Sequence, residues 1–282
     1  GSGTQKKYIE EVLAPTTGVV IITGPTGSGK TTTLYSSIEY CNDPSIKIIT
    51  AEDPVEFVID GIIQCSINEY IGLTFTETLR AIVRQDPDII VLGEIRDKDT
   101  ASVAIQAALT GHKVFSTFHT EDSIGGIIRL IDMDIETFLI SSTVLSILAQ
   151  RLLRKVCQFC KEPYSPGPYE LSKVGLTPDD IRGYEFSRGS GCKHCHYTGY
   201  SGRVGIYELL ILNEAVKDAI LQKKTSYEIR RISFEHTGLV TLLEDGITKA
   251  IKGLTTFDEI AKHTPYTCRP RKIEEILKLV EH

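Results

Sequence analysis

Residues 18–31 read GVVIITGPTGSGKT, an apolar run that ends in a glycine-rich turn. The run 18–23 is rich in β-branched residues and predicts a buried strand. Residues 24–31 fit the pattern G-x-x-x-x-G-K-[ST], which is meaningful between a strand and a helix, and 30–40 is a predicted helix. Glycines let the backbone curl so that successive N–H groups face one point at the helix N-terminus. The segment therefore predicts a site for the phosphates of a nucleotide.

The side chains of this turn indicate how the phosphates of a nucleotide would be held. Lys30 can reach the β- and γ-phosphates, and the Thr31 hydroxyl can ligate Mg²⁺. The residues predicted to bind the nucleotide here are Gly24, Pro25, Thr26, Gly27, Ser28, Gly29, Lys30, Thr31 and Thr32.

Outward from this turn, apolar strands alternate with helices from about residue 18 to 155, the pattern of a parallel α/β domain. The further predicted strands are 46–50, 62–67, 89–92 and 113–118. The further predicted helices are 74–84, 100–109, 123–133 and 138–154, the last because its apolar residues recur at helical spacing. From Arg203 onward the sequence predicts helices at 213–221, 226–236, 239–252, 256–263 and, in the tail, 271–280.

Acidic and histidine side chains at strand ends are candidates for the chemistry. Glu94 follows the apolar strand 89–92 and can help to hold Mg²⁺, although Gly93 precedes it. Residues 52–56, EDPVE, place three carboxylates at the end of a strand, where one could deprotonate a water, but a solvated acidic loop also explains them. His112 and His119 flank the strand 113–118, and taken singly each is better explained as a structural residue than as a γ-phosphate sensor.

The composition excludes some classes of protein. The chain has 282 residues, 31 basic and 37 acidic, with a formal charge of −6, and this gives no electrostatic reason to expect a nucleic-acid binder. No stretch approaches the roughly 18 consecutive apolar residues of a membrane span. Seven cysteines, an odd number, include two C-x2-C pairs, which favours a reducing compartment over a disulfide framework.

The four paired cysteines predict a metal site. Two C-x2-C pairs, Cys157 with Cys160 and Cys192 with Cys195, can hold one tetrahedral Zn²⁺ with a structural role. The 31 residues between the pairs exceed the roughly 15–20 of typical sites. His194, His196, unmetallated thiols and a redox pair are the alternatives. Three cysteines remain as free thiols, namely Cys41, Cys65 and Cys268.

The motifs together resemble one family. The segments 24–32, 49–57, 84–97 and 110–120 follow the order of the Walker A, Asp, Walker B and His boxes, and the chain resembles the type II secretion and type IV pilus assembly ATPases from about residue 13 to 264. The resemblance implies an α/β fold: a RecA-like P-loop NTPase core (13–156), a tetracysteine zinc subdomain (157–202), a C-terminal helical region (203–264) and a tail helix (265–282). Residues 1–12 are interpreted as a cloning scar and linker.

The resemblance also implies roles for single residues. Glu56 becomes the catalytic carboxylate, Glu94 the Walker B acid that holds Mg²⁺, and His119 and His112 the His-box residues near the γ-phosphate. Lys30 acts on the transferring phosphate. Three arginines in the neighbouring segments are candidates for contacts with phosphate or with another subunit, namely Arg80, Arg84 and Arg96.

Finally, the resemblance implies a hexameric motor in the cytoplasm that hydrolyses ATP to power pseudopilus or pilus assembly. It would act through an inner-membrane platform protein and a cytoplasmic scaffold, peripheral to the membrane and without nucleic acid. The alternatives are a RecA-like nucleic-acid translocase, a retraction-type pilus ATPase and a non-hydrolysing scaffold. Because relatives carry an upstream domain that supplies arginines, we expect this stretch alone to bind ATP but to turn it over slowly.

Overall fold

The computed structural model describes residues 3–281. Its strands are β1 (Gly18–Thr23), β2 (Ile48–Glu52), β3 (Ile63–Ser66), β4 (Ile89–Leu92), β5 (Lys113–Phe118), β6 (Val144–Val156), β7 (Lys161–Tyr164), β8 (Phe186–Gly189) and β9 (Tyr200–Ile211). Its α-helices are α1 (Gly3–Lys7), α2 (Lys30–Cys41), α3 (Phe75–Val83), α4 (Lys98–Leu109), α5 (Ser123–Asp132), α6 (Thr137–Thr143), α7 (Pro168–Ser172), α8 (Glu214–Leu221), α9 (Ser226–Thr237), α10 (Leu242–Ile251), α11 (Phe257–His263) and α12 (Ile273–Glu281). A π-helical segment, Tyr8–Leu13, continues α1.

Within the described residues, seven strands form one sheet in the order β3-β2-β4-β5-β1-β6-β9. All neighbours pair in parallel except β6 and β9, and β7 pairs with β8 in a separate antiparallel ribbon. The carboxyl ends of β1, β2, β4 and β5 therefore meet at one edge, where open α/β sheets bind their ligands.

Both faces of this sheet are buried. In β1, Val19 and Ile21 pack into one apolar cluster with α3, α4 and α5, whereas Val20 and Ile22 pack into another with α2. A strand buried on both faces is often a continuous apolar run, which is why β1 and β4 were recognisable from sequence. The strand β5 is also fully buried although it contains Lys113, Ser116 and Thr117, and all three strands have the predicted bounds. These strands hold the loops that follow them in place.

The predicted long helix 138–154 is wrong. Helix α6 ends at Thr143, and the chain continues as β6 beside β1. The run is apolar enough to fit the period of a helix and that of a strand. Successive residues are buried on opposite faces of the sheet, as in a strand, because Ile147 packs into one apolar cluster and Leu148 into the other. The segment pairs with the side of β1 that β5 does not cover, and the periodicity of a single segment cannot reveal such a partner.

The helices predicted from residue 213 onward are present, but the sequence analysis missed the strand before them, because β9 occupies Tyr200–Ile211. It pairs with β6 in antiparallel register, with Val156 opposite Tyr200. The two strands form a ribbon that leads from the core sheet to the cysteine pairs, since Cys157 follows β6 directly. The division of the chain into domains stays a prediction.

The segment between the cysteine pairs shares an apolar core with the C-terminal helices. Leu171, Val174 and Phe186 are buried in a cluster with Phe257 and Ile260 of α11. This insert therefore packs against the C-terminal helices. In residues 3–281, none of the helices combines the length and the apolar character needed to cross a membrane.

Candidate functional site

The glycine-rich turn wraps between β1 and α2 as predicted. Gly27 and Gly29 have φ of 81° and 87°, a left-handed conformation that favours glycine. A Cβ on Gly29 would lie 2.6 Å from Gln150 Nε2, so this position has no room for a side chain, and Gly27 faces open space. The hydroxyl of Ser28 is buried without a hydrogen-bond partner among residues 3–281. This cradle fits a phosphate group.

A cavity of about 440 Å³ opens in front of the turn. It is lined by Thr26, Gly27, Gly29, Lys30, Thr31, Thr32, Leu34, Tyr35, Glu52, Asp53, Pro54, Glu56, Phe75, Gly93, Glu94, Thr117, His119 and Leu152. The structure thus brings the turn, the acidic loop, Glu94 and His119 together at one edge of the sheet.

Lys30 is held at the floor of this cavity. Its ammonium group donates to Gly24 O at 2.7 Å, to Phe118 O at 3.2 Å and to His119 Nδ1 at 2.9 Å. Burial lowers the pKa of Lys30 to about 8, although the charge of Glu94 opposes the change. A phosphate that binds here would restore the charged form, because it supplies the anion that this amine lacks.

His119 connects Lys30 to Glu94. Since Nδ1 accepts from Lys30, the ring fits the tautomer in which Nε2–H donates to Glu94 Oε2, 3.2 Å away. Arg96 Nη2 lies 2.5 Å from the other oxygen of Glu94 and 3.3 Å from Asp53 Oδ2. Burial raises the pKa of Glu94, but Arg96 and His119 outweigh it and hold this pKa below its usual value. The carboxylate is thus charged, and a cation that binds it would share it with Arg96 and His119.

The two glutamates of the acidic loop differ. Glu52 is buried, and its carboxylate accepts hydrogen bonds from Thr50 at 2.6 Å and from Tyr35. Glu56 is exposed and lines the cavity, and its backbone N–H donates to the Tyr35 hydroxyl at 3.1 Å. Of the two, Glu56 has the carboxylate that can meet a water in the cavity.

Sequence reasoning missed three residues that support the site. Tyr35 fixes the acidic loop, as described, and Thr33 Oγ1 donates to Gln150 Oε1 at 2.5 Å behind the turn. Arg151 is buried, donates to Glu121 O at 2.5 Å, and has a pKa lowered by burial. The polar pair Gln150 and Arg151 inside an apolar run was the available signal.

Other candidates lie away from the cavity. His112 is at the opposite end of β5 from His119, and its Nδ1 lies 2.9 Å from Ala107 O at the end of α4, so the structure does not place it at the phosphates. Arg80 pairs with Glu77 on the surface of α3. Arg80 and Arg84 do not line the cavity. Arg96 contacts the carboxylates of Glu94 and Asp53, which do line it.

The four paired cysteines form a compact cluster. Their sulfurs lie within 4.8 Å of one another. Cys157 and Cys192 Sγ are 3.8 Å apart, and Cys160 and Cys195 Sγ are 3.9 Å apart. Four sulfurs at the usual Zn–S distance from one tetrahedral ion lie about 3.8 Å apart, so the geometry fits zinc and not a disulfide.

Backbone donors complete this cluster. The N–H groups of Cys192 and Gly199 donate to Cys195 Sγ at 3.3 Å, and that of Gly191 donates to Cys160 Sγ at 3.3 Å. Burial raises the pKa of Cys195, but its two N–H donors together with the thiols of Cys192 and Cys160 outweigh burial and lower this pKa to about 6. The rival ligand His194 instead stacks on Phe159, with 3.9 Å between ring centroids.

The sequence of this chain is similar to that of known secretion and pilus proteins along most of its length. The sequence profile described as "Type II/IV secretion system protein" matches residues 2–262. The chain is 44% identical over 263 residues to the type II secretion system protein E of Pseudomonas aeruginosa, covering 93% of this chain and 52% of the relative. It is 45% identical over 255 residues to the type IV pilus assembly ATPase PilB of Thermus thermophilus, covering 90% of this chain and 29% of the relative. The chain thus spans about half, or less, of the length of these relatives.

Solved structures share the fold. The pilus retraction motor PilT with bound ADP has a TM-score of 0.67 and 30% identity over 91% of this chain and 64% of that one. The ATPase DotB of Legionella pneumophila has a TM-score of 0.66 and 26% identity over 90% of this chain and 62% of that one. With its profile match and its identity to secretion and pilus ATPases, the chain belongs to the type II/IV secretion system protein family.

Proposed function

We propose that this chain binds ATP with Mg²⁺ and hydrolyses it to ADP and phosphate. The observation that carries the proposal is the continuous contact from Lys30 through His119 to Glu94 at the mouth of the glycine-rich turn. This arrangement puts a cation, a neutral donor and an anion where the γ-phosphate and its metal would meet. The names of the relatives support the same activity.

The residues would act as follows. Backbone N–H groups of the turn and the ammonium group of Lys30 bind the β- and γ-phosphates. Thr31 and Glu94 would hold Mg²⁺, which when bound neutralises part of the phosphate charge. Glu56 orients and deprotonates the attacking water from the rim of the cavity. His119 contacts the γ-phosphate and releases Lys30 Nζ to it.

The base and ribose have space beside the same helix. A second cavity, of about 530 Å³, is lined by Thr32, Thr33, Tyr40 and Tyr207, among others. Thr32 lines both cavities, so a nucleotide with its phosphates in the turn can extend into this second one. We place the base there because its walls include aromatic and aliphatic side chains.

We extend the proposal to the machine served. The chain would act within a cytoplasmic homo-hexamer, peripheral to the inner membrane, that drives pseudopilus or pilus assembly through a platform protein and a scaffold. The support is the 40–45% identity to relatives named for type II secretion and pilus assembly, above the 30% shared with the retraction motor. Zinc held by the four cysteines would keep the insert folded and take no part in hydrolysis.

The test compares Glu56→Gln with Glu39→Gln, a matched control on the exposed side of α2. Nucleotide affinity is measured with a fluorescent ATP analogue, and hydrolysis is measured by phosphate release with protein in excess over ATP. We expect Glu56→Gln to bind within about threefold of the unsubstituted chain and to hydrolyse at least about 100-fold more slowly, because it lacks the general base. Equal rates for the two variants, or no binding by the unsubstituted chain, would overturn the proposal.

A further inference from the structure

The loop between β5 and α5 carries His119 into the phosphate site and is anchored at each following residue. The Thr120 N–H donates to Thr23 Oγ1 at 2.8 Å, and the two threonine hydroxyl groups are 2.6 Å apart. Arg151 Nη2 donates to Glu121 O at 2.5 Å. The loop therefore has little freedom to move while these contacts hold.

Two buried carboxylates, those of Asp122 and Glu208, hold the end of this loop where α5 begins. Asp122 Oδ1 accepts from Gly125 N–H at 2.7 Å and so caps α5. Glu208 of β9 accepts from both the N–H and the hydroxyl group of Ser123 at 2.8 Å. Burial and the nearby charge of Asp122 raise the pKa of Glu208 to about 7. Two acids this close need a compensating cation.

Arg230 of α9 supplies that cation. Its Nη2 lies 2.6 Å from Asp122 Oδ2, and the exposed fractions of the two side chains are only 14% and 8%. Arg230 Nε is buried and has no partner among residues 3–281, so the pair depends on one nitrogen. Arg230 does not line the cavity of the glycine-rich turn. Its contact reaches the phosphates only through the loop.

We infer that Asp122 and Arg230 are positioning residues that hold His119 at the γ-phosphate and connect it to α9. The inference rests on the proposed ATP site. Because linkage is reciprocal, a γ-phosphate that fixes His119 also favours the position of α9 in which Arg230 meets Asp122, and release of phosphate removes that preference. The pair is thus a route by which hydrolysis changes the placement of a C-terminal helix.

The experiment uses the described chain with three substitutions: Arg230→Met, Arg230→Lys and the control Arg231→Met, an exposed neighbour on α9. Affinities for ADP and for a non-hydrolysable ATP analogue are measured side by side. We expect Arg230→Met to weaken the ATP analogue about tenfold, the effect of one lost hydrogen bond to a charged group, and to leave ADP within about twofold. Arg230→Lys should restore affinity, because one donor suffices.

Hydrogen exchange of the peptide that contains Thr120 gives an independent readout. It should accelerate in Arg230→Met alone of the three variants, since only there does the loop lose the contact between Asp122 and α9 while its other anchors stay. Equal loss of affinity for ADP and the ATP analogue, failure of Arg230→Lys to rescue, or unchanged exchange would overturn the inference. If the unsubstituted chain binds neither nucleotide, the proposed function fails instead, and exchange still decides whether Arg230 anchors the loop.

Discussion

The glycine-rich turn and the four-cysteine cluster both lie at strand ends, but different interactions hold them in shape. The turn is one continuous stretch between β1 and α2, and the buried sheet holds both of its ends. The cluster joins two segments separated by 31 residues, brought together by the pairing of β6 with β9. Its sulfurs face one another at distances that suit a shared cation. The turn therefore keeps its shape by packing, whereas we expect the cluster to depend on a bound metal.

Removal of zinc should have the largest effect. Replacing Cys195 with Ser should lower zinc from about one equivalent per chain to below about 0.1, since structural zinc contributes on the order of 10 kcal/mol of apparent binding free energy. Metal analysis and hydrogen exchange of residues 157–200 measure this. ADP affinity should stay within about twofold, because packing maintains the turn. Cys268→Ser is the control, and full zinc content in Cys195→Ser would contradict the comparison.

Lys30→Ala tests the other side of the comparison. Nucleotide affinity should fall about 100-fold, because the phosphates lose a charged hydrogen-bond donor in a half-buried site. Zinc content should not change. Lys47→Ala, on the exposed surface, is the matched control in the same titration. A Lys30→Ala chain that binds ATP normally would show that the turn is not the phosphate site.

Leu171→Ala tests how much apolar packing, in addition to zinc, contributes to the stability of the insert. Leu171 is 0% exposed, and its truncation should lower the free energy of unfolding by about 3 kcal/mol even with zinc bound. Urea unfolding of the zinc-loaded chain measures this, and Leu221→Ala, at an exposed position, is the control. Unchanged stability would mean that zinc alone organises the insert.

Glu208→Gln should have the smallest effect, and it acts beside the phosphate site. The pKa of Glu208 is about 7 in the folded chain against an ordinary value of 4.5, so the folded state binds a proton that the unfolded state has released between these pH values. Stability from this group is present at low pH and is lost as pH rises towards 7. Relative to the unsubstituted chain, the Gln variant should gain about 2–3 kcal/mol between pH 5 and pH 8, measured by urea unfolding. An identical difference at both pH values would contradict this.

Several elements were predictable because their signals are local. The strands β1 and β4 are short apolar runs that end at turns. The N-caps Thr74 and Thr256 accept from the N–H groups of Glu77 and Glu259, as is usual at helix starts. Glu259 does not form a capping box with Thr256, because its carboxylate accepts from Arg154 instead. The carboxylate thus binds a residue distant in the sequence in place of the N–H group of Thr256.

Local sequence was sufficient for the glycine-rich turn and for the four cysteines, because backbone conformation and thiol chemistry depend on residues close together in the chain. Tertiary contacts were needed for the strand β6, for the pairing that unites the cysteines, and for the burial of Glu208 and Arg230 around the His119 loop. Those features depend on residues up to 108 positions apart, as Asp122 and Arg230 are, and only the folded sheet brings such residues into contact. Such contacts depend on which surfaces stay exposed after the rest of the chain has packed. No single segment of the sequence contains that information.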